Sequence, residues 1–192
     1  MDNVLVHNER HTLPYQLPLD AAKHFLRQIE EQHYVSWYDL IASELLSAIA
    51  LEATVNTFGV FWIDDFGDFE SANLVAKVRI LCAHVGIPYD KSKKPFNDLI
   101  RLVRVRNKIV HPKFEKLTKL LGPMPLKDAQ RKLREDLLTS TEKQINSNIA
   151  KKSYRAVDEF MTLLQEIAQE RGDTHLLAET QSSKIVSDEI NR

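Results

Sequence analysis

The chain has 192 residues, enough for one domain with its own hydrophobic core, and its 43% hydrophobic and 28% charged residues exclude a wholly disordered or fibrous protein. The single cysteine, Cys82, excludes an internal disulfide and leaves a zinc site without thiolate partners. No apolar run reaches the roughly 18 residues of a membrane span, so we expect a cytoplasmic protein with no membrane partner.

Segments rich in Leu, Ala, Glu, Lys and Gln, with only five glycines, predict an all-α fold of about five to six helices. Residues 1–19, with Pro14 and Pro18, are expected to form an irregular arm. Residues 20–172 are expected to form the helical domain, and the polar residues 173–192 a flexible or weakly docked tail.

The first two helices have recognisable start signals. Asp20 is the predicted N-cap of a short first helix. Ser36 is the predicted N-cap of a long second helix, with Asp39 three residues later in the capping-box position. Apolar residues recur at helical spacing along this second helix, which we expect to be central and to end near Gly59. A third helix is expected to begin after a different cap, Ser71.

Glycine and proline divide the rest of the chain. The third helix is predicted to end at Gly86, and the fourth to begin at Pro95. Pro112 disfavours the α conformation at His111, so the fourth helix is expected to end there. Two more helices are predicted, over residues 127–138 and 146–170.

Positive charge is concentrated in one window of the chain. Residues 91–119 contain ten basic and two acidic residues, so this window carries +8 and the remainder −9. A local basic field on an otherwise acidic protein suits a polyanion such as nucleic acid. The alternative is an ordinary solvated helix face with countercharges supplied by the rest of the fold.

An Arg and a His five residues apart lie at the end of the predicted fourth helix. Arg106 is followed by the polar Asn107, the surroundings are basic, and a proline follows His111. The same spacing occurs in Arg79 and His84, but only apolar residues lie between them. We interpret this second pair as coincidental and the first as a candidate site.

The segment Arg106-Asn107-x-x-x-His111, closing an apolar helix, resembles the R-x(4–6)-H motif of HEPN domains, in which a polar residue commonly follows the Arg. The segment from Ala48 to Asn56 resembles a second HEPN feature, a long helix whose acidic residue and later polar residue, here Glu52 and Asn56, face the motif helix. The resemblance covers about residues 36 to 170. It implies an HEPN-like helical bundle that dimerises through its motif helices, and many members cleave RNA without a metal.

The resemblance implies a metal-independent endoribonuclease, with a toxin or defence effector as one role and an antitoxin or regulatory protein as a further partner. Asn107 and His111 are i,i+4 neighbours, and Arg106 lies about 140° around the helix from His111. His111 would transfer protons during attack by a ribose 2′-hydroxyl, and Arg106 would stabilise phosphoryl charge. Asn107 would orient His111 or the phosphate. Glu52 and Asn56 would support the site, and no cofactor or metal is expected. The residues assigned to RNA binding are Arg104, Lys108, Lys113 and Lys116.

Other interpretations remain open for the same residues. Arg106 and Glu52 are also consistent with a structural ion pair, and His111 with a helix C-terminal cap. A catalytically inactive HEPN-type module that binds nucleic acid, a nucleotide or a partner protein is the alternative function. We expect Arg106 to be buried with Glu52 as its partner, so Glu52→Ala should cost about 3–5 kcal/mol of stability.

The fourth helix is apolar on nearly every side, which is more than one intramolecular contact face requires. This pattern predicts a symmetric homodimer built on that helix, with the two motif segments in one groove. Val105 is the residue we expect at the interface, so Val105→Asp should give a folded monomer.

Overall fold

The computed structural model describes residues 5–31, 36–118, 122–133 and 138–186. Within these ranges the chain forms six α-helices and one two-stranded ribbon, and the prediction of an all-α bundle is confirmed. The helices are α1 (Gln16–Glu31), α2 (Trp37–Trp62), α3 (Leu74–Val85), α4 (Phe96–Val110), α5 (Leu126–Leu133) and α6 (Ser147–Arg171).

The ribbon joins the two ends of the described chain. Strand β1 (Leu5–His11) runs antiparallel to strand β2 (Thr180–Val186), with Leu5 opposite Val186. The sequence predicted neither strand: β1 lies in the expected arm, and β2 in the expected flexible or weakly docked tail. Neither segment shows this by itself, because each strand is paired only by a partner distant in the sequence.

The beginning of the predicted tail is docked on the bundle. Leu176 is buried, and its backbone oxygen accepts a hydrogen bond from the hydroxyl of the buried Tyr15 at 2.8 Å. Asp173 Oδ2 accepts a hydrogen bond from Trp62 Nε1, also at 2.8 Å. Leu176 thus belongs to the main core, and Leu177 packs against it.

Helix α1 begins at Gln16, earlier than predicted, and Asp20 is not its N-cap. Pro18 lies in the first turn, where a missing N–H group breaks no intrahelical hydrogen bond. Asp20 instead accepts a hydrogen bond from Gln16 Nε2 at 3.1 Å, one turn away on the same helix. Pro18, which was expected in the arm, therefore lies in the first turn of α1.

Helix α2 is the centre of the bundle and packs against α1, α4 and α6. Its predicted cap is confirmed, since Ser36 Oγ accepts a hydrogen bond from Asp39 N. The predicted end at Gly59 is wrong, because the helix continues to Trp62. The glycine has another role: a Cβ at residue 59 would overlap the ring of Phe66, which packs directly on the helix.

Helix α3 shows one wrong and one confirmed boundary. Its N-cap is Asn73, whose Oδ1 accepts a hydrogen bond from Ala76 N at 2.9 Å, rather than Ser71. Its end at Gly86 is as predicted, with φ of 80°, a conformation that favours glycine.

Helix α4 follows Pro95 and ends with His111 as its C-cap, as the two prolines predicted. Most of its apolar residues are covered within the chain, against α2 and α6. Val105 is fully buried in a cluster with Leu26, Ile29 and Leu40. The prediction that Val105 lies on a dimer interface is therefore wrong, and Val105→Asp would place a charge in the core of one chain.

Two helices complete the bundle. Helix α5 begins at Leu126, close to its predicted start, and its predicted continuation over residues 134–137 lies outside the described residues. Helix α6 is capped by Asn146 and ends at Gly172, as expected from the sequence. It contributes a long buried face that packs on α2 and α4.

Within the described ranges, α2 is long and apolar enough to cross a membrane by length and composition. Core helices of globular proteins pass the same test. Here the helix packs against four others, α1, α3, α4 and α6, and its buried residues include the polar Ser43, Glu44 and Ser47.

Candidate functional site

The candidate site lies where α4 ends and an irregular segment, residues 112–118, begins. His111 N donates a hydrogen bond to the backbone oxygen of Asn107 at 2.9 Å and closes the helix. His111 then leaves the helical conformation, with φ of −121° and ψ of 65°. Its side chain is exposed at the surface, where a solvent-borne ligand can reach it.

A cleft of about 450 Å³ opens beside this helix end. One wall comes from the end of α4 and the segment after it, and the other from residues 140–141, far along the chain. The cleft is lined by Asn107, Lys108, His111, Lys113, Glu115, Ser140 and Thr141. The lining thus contains two lysines and a histidine but only one carboxylate, and this excess of basic residues suits a phosphate group.

Glu115 ties the two walls of the cleft together. Its Oε1 accepts a hydrogen bond from Ser140 Oγ at 2.6 Å, and its Oε2 accepts one from Ser140 N at 2.9 Å. These hydrogen bonds, and the nearby Lys108 and Lys143, lower the pKa of the Glu115 carboxyl. Both oxygens of the Glu115 carboxylate are therefore hydrogen-bonded to Ser140 on the wall of the cleft.

The far wall of the cleft belongs to a turn, residues 139–142, that was not predicted from the sequence. Thr139 Oγ1 accepts a hydrogen bond from Glu142 N at 3.1 Å, and Glu142 Oε2 accepts one from Thr139 N at 2.6 Å. This reciprocal arrangement is a capping box, and its Thr-x-x-Glu pattern was visible in the sequence. The pattern indicates the turn, although not the proximity of Ser140 and Thr141 to α4.

Arg106 does not line this cleft. Its Nη2 lies 3.8 Å from Glu52 Oε2 on α2, and the two side chains are 35% and 46% exposed. The predicted pairing is thus present, but the prediction that the pair is buried is wrong. Arg106 Nη1 also donates a hydrogen bond to Asn107 Oδ1 at 3.1 Å. Arg106 is therefore connected to the cleft through Asn107, whose side-chain NH₂ group is left to donate to a ligand.

Asn56 serves a different helix from the one predicted. Its Oδ1 accepts a hydrogen bond from Lys77 Nζ on α3 at 3.2 Å. Lys77 is buried, and its ammonium lies 5.9 Å from the centre of the Phe66 ring. Asn56 thus satisfies a buried cation between α2 and α3, so the structure supplies no supporting role for it at the cleft.

The four cations assigned to RNA binding separate into two groups. Lys108 and Lys113 line the cleft, whereas the exposed Arg104 and Lys116 do not. The cleft therefore brings together His111, Asn107, Lys108 and Lys113. Among the residues that the structure describes, no three His, Cys, Asp or Glu side chains are grouped so that they could hold a metal ion.

Comparison of the chain with protein-family models, with curated proteins and with solved structures finds no match in any of the three.

Proposed function

We propose that the chain is a metal-independent endoribonuclease of HEPN type, which cleaves RNA in the cleft at the end of α4. The observation that carries the proposal is the grouping of His111, Asn107, Lys108 and Lys113 around one open cleft of about 450 Å³. A general acid or base beside fixed positive charge is the combination that phosphodiester cleavage requires.

The reaction would begin with the ribose 2′-oxygen attacking the adjacent phosphorus, while His111 takes the 2′-hydroxyl proton. The bond from phosphorus to the 5′-oxygen then breaks, that oxygen takes up a proton from solvent water, and His111 releases to solvent the proton that it took. The products are a 2′,3′-cyclic phosphate and a 5′-hydroxyl end. Lys108, Lys113 and the Asn107 NH₂ group would stabilise the charge on the phosphoryl oxygens, and Arg106 would act through Asn107.

We also propose that the protein works as a homodimer in the cytoplasm, as a toxin or defence effector controlled by an antitoxin or another regulatory protein. Support for pairing now comes from exposed apolar residues near the motif rather than from Val105. Val110, beside His111, is 45% exposed, and Ile49, one turn before Glu52 on α2, is 50% exposed. A second copy on this surface would add a second set of basic residues to the groove.

A catalytically inactive module that binds nucleic acid, a nucleotide or a partner protein is the second candidate. The position of Arg106 favours it, because the guanidinium is directed to Glu52 and does not line the cleft. An inactive module would bind RNA through Lys108 and Lys113 and leave it intact. Phe114, which is 95% exposed, would suit a protein partner.

The chain supplies its own control for a test of catalysis. His84 on α3 has the same spacing from Arg79 that His111 has from Arg106, and it is also exposed. With labelled single-stranded RNA and EDTA present, His111→Ala should lower the cleavage rate about 10²–10⁴-fold, the usual contribution of a positioned acid or base. His84→Ala should leave the rate unchanged. RNA that binds but stays intact with wild type would select the inactive module.

A further inference from the structure

A second, more apolar cleft of about 220 Å³ shares a wall with the first. Its apolar surface comes from Trp37 and Ile41 of α2, Ile109 and Pro112 at the end of α4, and Ile145. Lys108, Lys113, Glu115 and Thr141 line both clefts. The two clefts are therefore adjacent. The second differs from the first in its five apolar residues, and Thr139 and Glu142 also line it.

Trp37 is held in place at the start of α2. It is the first residue of the helix, directly after the capping Ser36, and it packs against a buried cluster that includes Leu26, Leu40 and Val105. Trp37 also remains partly accessible at the surface. An indole that is fixed before a ligand arrives loses little conformational freedom when a flat ring packs on it.

The order of surfaces matches the order of groups in a nucleotide. A phosphate needs positive charge, and the base attached to the neighbouring sugar needs an apolar or aromatic surface within a few ångströms. Lys108 and Lys113 lie on the shared rim, where the two groups of one nucleotide would meet. Only an unpaired base can leave its stack to enter such a cleft.

We propose that the Trp37 cleft is a nucleobase subsite, which holds one unpaired base of an RNA strand whose phosphate lies beside His111. This inference rests on the proposed function only in taking the first cleft as a phosphate site. It adds that the substrate is single-stranded and that Trp37 contributes to the affinity for it.

The protein contains two tryptophans, so each can report separately by fluorescence. Trp62 is at the opposite end of α2, where its Nε1 donates to Asp173 and Arg171 lies 4.9 Å from its ring centre. Trp62→Phe therefore leaves Trp37 as the reporter, and Trp37→Phe leaves Trp62 as the matched control.

The probe is a short single-stranded RNA with methylated 2′-hydroxyls, which cannot be cleaved by internal attack. Binding should quench the fluorescence of Trp62→Phe and leave that of Trp37→Phe unchanged. Trp37→Leu, which keeps an apolar side chain but removes the aromatic ring, should weaken binding about 5- to 100-fold. Circular dichroism of the same variant verifies that it is folded.

An oligonucleotide that lacks its bases separates the base contact from the phosphate contacts. It should bind wild type and Trp37→Leu equally. Absence of quenching in Trp62→Phe, or equal binding of the intact oligonucleotide by wild type and Trp37→Leu, would overturn the base subsite.

Cleavage of unmethylated RNA tests the proposed function separately. If the methylated strand quenches Trp37 but the unmethylated strand is not cut, the ribonuclease proposal fails and the subsite stands. If the unmethylated strand is cut equally well by wild type and Trp37→Leu, the ribonuclease proposal stands and the subsite fails.

Discussion

At the scale of single residues, the most unusual group is a glutamate buried in the middle of α2. Glu44 is fully buried, and its Oε1 accepts a hydrogen bond from Ser153 Oγ on α6 at 3.1 Å. Its Oε2 has no hydrogen-bond partner among the residues that the structure describes. Burial raises the pKa of Glu44 to about 7, against the opposing effects of Ser153 and of the charge on Arg101.

This raised pKa makes folding stability depend on pH in a defined direction. The folded chain holds a proton on Glu44 between its unfolded pKa of 4.5 and about 7, whereas the unfolded chain releases it. Stability should therefore decrease as the pH rises through this window, by roughly 3 kcal/mol in all, and level off above it. Glu44→Gln should remove this dependence and increase stability at pH 8.

Chemical denaturation at a series of pH values measures this effect. Glu159→Gln, on the exposed face of α6, is the matched control. If Glu44→Gln and wild type lose stability in parallel from pH 5 to pH 7, the buried carboxyl is not the cause.

The exposure of Arg106 and Glu52 changes what their pairing contributes. Since both side chains are more than a third exposed, water and salt screen their attraction. We expect Glu52→Ala to cost at most about 1 kcal/mol, instead of the 3–5 kcal/mol of a buried pair. Thermal unfolding of wild type and of Glu52→Ala, at low and at high salt, measures this cost. A loss of several kcal/mol would mean that the pair is desolvated in solution.

At the scale of elements, the basic residues of the irregular segment after α4 differ in whether they line a cleft. Lys113 lines both clefts and Lys116 lines neither. RNA affinity should fall as the salt concentration rises. For a single strand, the slope of log affinity against log salt concentration should be about −0.7 for each phosphate contact. Lys113→Glu should reduce this slope and weaken binding more than Lys116→Glu does. Fluorescence anisotropy at several salt concentrations measures both affinities. Equal affinities and equal slopes for Lys113→Glu and Lys116→Glu would contradict this prediction.

The elements also show which parts of the site were predictable. The Ser36 cap, Gly86 and the proline after His111 act through their immediate neighbours, so the sequence predicted the boundaries that depend on them. Ser140 and Thr141 form a wall of the cleft only because their turn packs beside α4, and no local pattern indicates that packing. The orientation of the Arg106 side chain likewise depends on its ion pair with Glu52, which lies on another helix.

At the scale of the whole molecule, the proposed dimer needs a surface that the single chain leaves uncovered. Ile49 on α2 provides one, whereas the apolar residues of α4 are largely covered within the chain. Light scattering at micromolar concentration should give twice the chain mass of 22.1 kDa, and Ile49→Asp should give a folded monomer. Leu17→Asp, at an exposed apolar residue of α1, is the control. A wild-type monomer that still cleaves RNA would remove the dimer from the proposal.

The hydrogen bond from Tyr15 to Leu176 and the pairing of β1 with β2 have a consequence for how the protein folds during its synthesis. Tyr15 is made early, but the carbonyl that satisfies its hydroxyl belongs to a residue made 161 positions later. While the ribosome is still adding α6, the nascent chain has a tyrosine without its native partner and a strand without its native neighbour. The final state of the bundle is therefore reached only after the residues beyond α6 have left the ribosome.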